Sequence, residues 1–360
     1  MGNLMNKVKN LLKNKKVIVA ICVVAILALS AIFATLRKEE PVPIYNDVVI
    51  EYKDKNLEKA MREIIKKPFG DIYVHDVSTI KTLDLSKKNI KYINGLEHMY
   101  NLESLNLSEN KIDNITPIKD LKKIENLFLG VNKIKDITPI KNLTNIKDLR
   151  INNNDILDIS VVNGMNNITK IELSRNHIDD ITPVLSLKNL KEISVAHNNL
   201  GNVDKLYTME SLMTLNISGN SLTSVNGVEK LTNLTQLNVS GNAIVDITPI
   251  TKLTSLKKLD ISDNRVRSIE GITPLVNLEY LSVANNFVSD ITPIKGFKNL
   301  EILSVVNTNV VNVSVVKDLK KINELFLDKN TDRSTIQHLN GKLKNSDVYT
   351  KSEFLNKEIF

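Results

Sequence analysis

The 360-residue sequence predicts an α/β solenoid with a parallel inner β-sheet, 3₁₀ or extended outer segments and a helical N-terminal cap, preceded by one transmembrane helix. Three observations lead to that prediction. An apolar-x-apolar strand core, first seen as Leu83-Asp84-Leu85, returns every 22 residues; an asparagine follows it at a fixed offset; and an Ile-Thr-Pro-Ile segment or a variant comes further round. A unit of this size cannot bury its own apolar face, so neighbouring units stack and share one continuous core. The chain length therefore describes one repeated body and not two or three separate domains.

The elements follow in chain order. Residues 1–16 form a basic tail, with Lys7, Lys9, Lys13, Lys15 and Lys16 and no acid. From Val17 to Leu36 twenty residues carry no charge, which as a helix spans about 30 Å, enough for a bilayer core. The excess of basic residues before the span predicts a cytoplasmic N-terminus, with the remainder of the chain outside as a single-pass signal-anchor protein. The alternative is a cleaved signal peptide and secretion, with cleavage after Ala31 or Ala34. The apolar run is longer than the usual h-region of about 7 to 15 residues and no clear small-x-small site closes it, which favours the retained anchor. Cys22, the single cysteine, lies within this run and reads as an apolar residue of the membrane helix.

Residues 37–50 begin their last stretch with Pro41 and Pro43 and read as a stalk. Residues 51–82 read as the cap. Asp54 is placed to N-cap a helix whose apolar stripe is Leu57, Met61, Ile64 and Ile65, stopped by Pro68 and Gly70. Such a stripe beside a repeat array covers the open apolar end of the stack.

Residues 83–330 are twelve turns in register, opened by Leu83, Leu105, Leu127, Leu149, Ile171, Ile193, Leu215, Leu237, Leu259, Leu281, Leu303 and Leu325. Five residues on stand Asn110, Asn132, Asn154, Asn176, Asn198, Asn220, Asn242, Asn264, Asn286 and Asn330, with Lys88 and Thr308 as exceptions. Where the chain bends out of the strand, backbone groups lose their ladder partners. An inward asparagine both donates and accepts, and restores them, whereas aspartate only accepts. Proline in the outer segment fixes φ and donates nothing, which suits a short 3₁₀ turn and disfavours a long outer helix. Residues 331–360 remain as a C-terminal cap or tail.

The L-x-x-L-x-L-x-x-N-x-I run at Leu102–Ile112, the Asp-Ile-Thr-Pro-Ile segment at Asp136–Ile140 and the helix opening Asn56-Leu57-Glu58-Lys59-Ala60 resemble the bacterial leucine-rich repeat family of the internalin type, in its 22-residue form. The resemblance covers roughly 48 to 330. It implies a leucine-rich repeat horseshoe, a helical N-cap and a surface-exposed binding protein whose partner differs from member to member. The sequence has no Leu-Pro-x-Thr-Gly sorting motif, so attachment is expected through residues 17–36. The absence of paired cysteines argues against an animal extracellular repeat protein, and the Asn, Ile and Lys content resembles that of an AT-rich Gram-positive bacterium.

Binding is expected on the inner, strand-lined face, at positions just before, between and after the two strand apolar residues. Most of these are small and polar, which predicts modest affinity or a flat partner such as a glycan. Phe128, Arg150, Lys170, Glu172 and Arg175 stand out as a mixed aromatic and charged patch on successive turns, with Tyr280 and Phe326 isolated further along. Ordinary solvated side chains are the competing reading.

No catalytic set, cofactor or metal site is expected. His177 and His197 fall at different repeat positions and do not converge, the repeat serines lack a histidine and aspartate partner, and no glycine-rich phosphate loop is present. Of the net charge of +7, +5 sits in residues 1–40. The excess is an orientation signal at a membrane and leaves nucleic-acid binding without support. The expected function is that of an extracytoplasmic, membrane-anchored binder of a protein or glycan, internalin-like in adhesion or interaction; the alternative is an envelope scaffold or regulator whose partner belongs to the same cell.

Overall fold

The computed structural model describes residues 48–328, residue 331 and residues 348–349. The chain divides into residues 1–48 and 49–360. The span expected at 17–36 lies outside the described residues, and among those described no helix is long and apolar enough to cross a membrane.

The cap is built around helix α1 (Lys55–Ile65). Asp54 caps it, its Oδ1 accepting from the N–H groups of Asn56 at 2.8 Å and Leu57 at 3.3 Å. Its Oδ2 accepts from Lys91 N at 2.6 Å and Tyr92 N at 3.1 Å, which ties the helix to the first repeat. Burial works against ionisation here, but these four N–H donors hold the Asp54 carboxyl below its usual range. The buried stripe of α1 is Leu57, Ala60 and Met61. Ile64, expected in that stripe, is 42% exposed: it lies in the last turn of α1, beyond the buried Leu57, Ala60 and Met61. A second short helix, α2 (Val74–Val77), buries Val74 and Val77.

The twelve turns each contribute a three-residue strand: β1 (Thr82–Asp84), β2 (Ser104–Asn106), β3 (Asn126–Phe128), β4 (Asp148–Arg150), β5 (Lys170–Glu172), β6 (Glu192–Ser194), β7 (Thr214–Asn216), β8 (Gln236–Asn238), β9 (Lys258–Asp260), β10 (Tyr280–Ser282), β11 (Ile302–Ser304) and β12 (Glu324–Phe326). All pair in parallel and in sequence order, each residue opposite its equivalent 22 positions on, as Leu83 opposite Leu105 and Phe128 opposite Arg150. A thirteenth strand, β13 (Val348–Tyr349), extends the sheet beside β12, with Val348 opposite Leu325 and Tyr349 opposite Phe326. It lies within the segment read as a C-terminal cap or tail.

The outer side is thin. Its 3₁₀ segments run three to five residues, such as Thr116–Ile118 and Thr138–Asn142, with proline in the first turn where Thr-Pro occurs. Five Thr-Pro turns are entered through an acceptor two residues back: the Oδ1 atoms of Asn114, Asp136, Asp180, Asp246 and Asp290 accept from the N–H groups of Thr116, Thr138, Thr182, Thr248 and Thr292. These are Asx turns, and they set the backbone direction that the proline then fixes. The core between sheet and outer segments is apolar throughout. In the second turn Leu105, Leu107, Ile112, Ile115, Ile118, Leu121 and Ile124 are all fully buried.

At each exit from a strand stands the asparagine ladder. Asn176 is typical: its Nδ2 donates to Ile151 O at 3.0 Å and Leu173 O at 2.9 Å, while its Oδ1 accepts from Ile156 N at 3.1 Å. Asn110, Asn132, Asn154, Asn198, Asn220, Asn242, Asn264 and Asn286 repeat the pattern; Asn330 lies outside the described residues. Thr308 substitutes in part, donating from Oγ1 to Val305 O at 2.7 Å. The residue before each ladder position takes a left-handed conformation, with φ between 51° and 63° at Arg175, His197, Gly219, Gly241, Asp263 and Asn285. Only at Gly219 and Gly241 does glycine relieve the cost of that conformation.

Candidate functional site

The inner face of β3 to β8 is the open part of the sheet. Alternate residues of a strand point to opposite faces, so the apolar position of each strand enters the core and its two flanking residues line the inner face. Sheet register places Phe128, Arg150 and Glu172 in one row on adjacent strands, and Asp148, Lys170 and Glu192 in the row beside it.

Two of the expected residues, Phe128 and Arg150, are joined by direct contact. The Arg150 guanidinium lies over the Phe128 ring, 4.7 Å from its centroid. It also grips Asp148, with Nη2 to Oδ2 at 2.7 Å and Nε to Oδ1 at 3.1 Å. Stacking and a two-point carboxylate contact together fix a side chain that is otherwise long and mobile. Lys170, one strand on, donates to Glu192 Oε2 at 2.6 Å. Glu172 turns back to accept from Ser174 N at 3.0 Å, and Ser174 Oγ meets Ser194 Oγ at 2.6 Å. The result is a half-exposed surface on which Arg150 and Lys170 are each opposed by a carboxylate. Such exposed pairs contribute only about 0–1 kcal/mol to stability; their effect is to hold donors and acceptors in place.

Beside this row a groove of about 230 Å³ is lined by Lys170, Glu172, Glu192, Ser194, Asn216 and Gln236 among others. Asp148, Glu192, Asn216 and Gln236 were not singled out from the sequence. The signal was available, since opposite charges stand 22 residues apart at Lys170 and Glu192 and two apart at Asp148 and Arg150.

Arg175 does not belong to the strand surface. It occupies the left-handed turn position after β5, with φ 55°, and is exposed there. Its charge acts on His197 on the next turn: partial desolvation first, and Arg175 second, pull that imidazole below its usual range.

Tyr280 and Phe326, expected as isolated solvent-facing residues, are corrected by the structure: they are 3% and 0% exposed. Phe326 packs with Ala284 and Val306, with Ile302 against them. The middle positions Asp260, Ser282 and Ser304 are buried as well. Burial pushes the Asp260 carboxyl up to about 6, the hydrogen bond from Ser262 N opposing it in part. The inner face thus changes along its length: it is open and charged over β3 to β8 apart from the buried Asn238, while over β9 to β12 Asp260, Tyr280, Ser282, Ser304 and Phe326 are buried and Lys258, Ile302 and Glu324 partly so.

Among the described residues no three His, Cys, Asp or Glu side chains converge as a metal site.

Comparison with known proteins agrees with this architecture. Models of the leucine-rich repeat match residues 101–122, 188–244 and 254–296. No curated protein matches the sequence. Among solved structures, an internalin, inlF, from Listeria monocytogenes is similar at 28% identity and a TM-score of 0.73, covering 83% of this chain and 90% of its own. A leucine-rich repeat protein of Leptospira interrogans shares the fold at 18% identity and a TM-score of 0.52, over 77% of this chain and 97% of that one. The plant peptide hormone receptor RGFR1 in complex with RGF2 shares it at 20% identity and a TM-score of 0.57, over 72% and 46% of the two chains.

Proposed function

We propose that this internalin-type leucine-rich repeat protein is a membrane-anchored, extracytoplasmic binder that takes a protein partner on the open inner face of β3 to β8. Leucine-rich repeat proteins of this fold are typically binding scaffolds. The observation that carries the reading is the Phe128–Arg150–Asp148 arrangement. Its guanidinium is held 4.7 Å above an aromatic ring and 2.7 Å from a carboxylate without being buried, and aromatic and arginine side chains fixed in this way are the usual centres of binding energy. The groove beside it offers acceptors and donors of both signs to a polypeptide, and its rigid floor is a regular parallel sheet.

The anchor rests on residues 17–36 and the basic tail before them, whose composition fits a signal-anchor with the repeats outside. Protease treatment of intact cells tests that orientation: the repeats are degraded without lysis, and resistance until lysis overturns it. Pull-downs with residues 41–360 against host extract and against purified envelope test the partner. Capture of a protein that fails when Phe128→Ala and Arg150→Ala are combined supports the reading. Loss of both residues costs at least about tenfold in affinity, since exposed hot-spot side chains contribute about 1–2 kcal/mol each. Unchanged affinity removes the patch from consideration. Retention on glycan alone assigns the face to carbohydrate, and a partner found only in the envelope fraction assigns the protein to a scaffold of its own cell.

A further inference from the structure

The array has a second exposed surface, the edge along which each turn passes from its ladder asparagine to its outer segment. Side chains there alternate between solvent and core, as Arg265 and Arg267 do around the buried Val266. Backbone hydrogen bonds join the edge from turn to turn: Arg265 N donates to Ile244 O at 2.8 Å and Phe287 N to Val266 O at 2.8 Å. Its exposed side chains therefore stand in fixed rows.

Two stretches of this edge are opposite in character. Over the eighth to eleventh turns it is apolar and basic. Phe287 is 52% exposed, Val245 56% and Val311 65%, and the Arg267 guanidinium lies 5.6 Å from the Phe287 ring centroid. Neither Arg265 nor Arg267 has an ion-pair partner among the described residues. Over the fourth and fifth turns the same edge carries Asp155, Asp158, Asp179 and Asp180 around Leu157, which is 58% exposed. Between the two stretches, the sixth and seventh turns present Asn199, Gly201, Ser221 and Thr223, all exposed, short and uncharged.

We propose that this edge pairs with the same edge of a second copy of the chain, in antiparallel order, about a two-fold axis at the seventh turn. The fifth and ninth turns lie two spacings either side of that axis and the fourth and tenth lie three. Asp179 of each copy then faces Arg267 of the other, Leu157 lies beside Phe287, and each contact occurs twice, as two-fold symmetry requires. Asp158 faces Asp290, and both carboxylates are already engaged by their own turns, accepting from Ser160 and Thr292. Parallel order sets Asp179 on Asp179 and Arg267 on Arg267, so charge selects the antiparallel pair. Short side chains at the axis let the two backbones approach. The second copy is the occupant because this edge carries both the patch and its complement, equally spaced from one point. The pair leaves both inner faces open and does not rest on what binds there.

Cross-linking of the full chain in a mild detergent tests this, with Cys22→Ser removing the native thiol. Thr223→Cys sits at the axis against its own equivalent, and a short bismaleimide joins two such chains. Lys133→Cys, four turns from the axis, lies about 38 Å from its equivalent in the antiparallel pair and does not join. At low salt, Arg267→Asp added to Thr223→Cys lowers the yield of dimer at least about tenfold, because both contacts become like-charged. Asp179→Arg does the same. Mixing the two reversed chains restores the yield, since every contact again joins unlike charges; this also shows that neither substitution has unfolded the array. Phe287→Ala lowers the yield and Phe128→Ala on the inner face leaves it unchanged. Absence of dimer at Thr223→Cys, equal joining at Lys133→Cys, or a yield indifferent to Arg267→Asp overturns the proposal.

Discussion

Asn220 is 2% exposed and its side chain makes five hydrogen bonds. Its Nδ2 donates to the carbonyls of Val195, Ile217 and Ser218 at 3.0, 3.2 and 3.0 Å. Each of those carbonyls keeps a second donor: Asn198 Nδ2 for Val195, Asn242 Nδ2 for Ile217, and His197 N for Ser218. Its Oδ1 accepts from Asn198 N at 3.2 Å and Leu200 N at 3.3 Å, and these two N–H groups have no other acceptor among the described residues. The acceptor half of the side chain is therefore the half that the fold cannot replace. Asn220→Ala orphans two buried N–H groups at about 1–3 kcal/mol each, a loss of about 4 kcal/mol. Urea unfolding of residues 41–360 followed by far-ultraviolet circular dichroism measures it. Asn220→Asp separates the two halves: it keeps both acceptor oxygens but points a carboxylate at three carbonyl oxygens. That raises its folded pKa above the unfolded value, so the variant is stable below the unfolded pKa and loses stability as pH rises through the folded one. The alanine deficit is flat over the same range. An alanine variant within about 0.5 kcal/mol of the parent, inside the scatter of neutral surface changes, refutes the assignment.

Two further outcomes follow from single carboxylates with opposite signs. Asp260 has a folded pKa pushed from 3.8 up to about 6, so its ionisation costs stability that is present below pH 3.8 and lost as pH rises through 6. Asp260→Asn keeps the oxygen that accepts from Ser262 N and gains about 3 kcal/mol at pH 7.5, at 1.36 kcal/mol per pKa unit, with no gain at pH 3.5; thermal melts at both pH values measure it, and an equal effect at both contradicts the burial argument. Asp54 is shifted the other way by its four backbone donors, so its contribution is present above the unfolded value of 3.8 and is lost as pH falls through the lower folded one. Asp54→Ala costs about 2–4 kcal/mol at neutral pH, a helix cap plus two cross-element acceptors, and hydrogen exchange should localise the loss to α1 and to the first repeat around Lys91 and Tyr92; exchange that changes in α1 alone contradicts the tie.

The repeat was legible because every job in it recurs. A strand leucine packs on its equivalent 22 residues away, and a ladder asparagine serves the backbone of its own and the preceding turn, so sequence period and spatial neighbour coincide. The inner face breaks that coincidence. Phe128 and Phe326 occupy the same repeat position, and the 22-residue pattern treats them alike. Phe128 stays half exposed with Arg150 laid across it, whereas Phe326 is fully buried with Ala284 and Val306. What differs is the row around each ring. Near Phe128 the flanking positions carry Asp148, Arg150 and Lys170, which stay hydrated. Near Phe326 they carry Ser304, Val306 and Ala284, short side chains that leave the ring packed against its apolar neighbours. Ile64 in α1 shows the same limit on a smaller scale, since helical spacing identifies a stripe but not how far the neighbouring element extends along it. A partner therefore meets a surface defined by departures from the repeat. The departures in β3 to β5 are charged and mutually held, so a ligand that engages them has to match their geometry, and a substitution there changes recognition while the sheet beneath it stays the same.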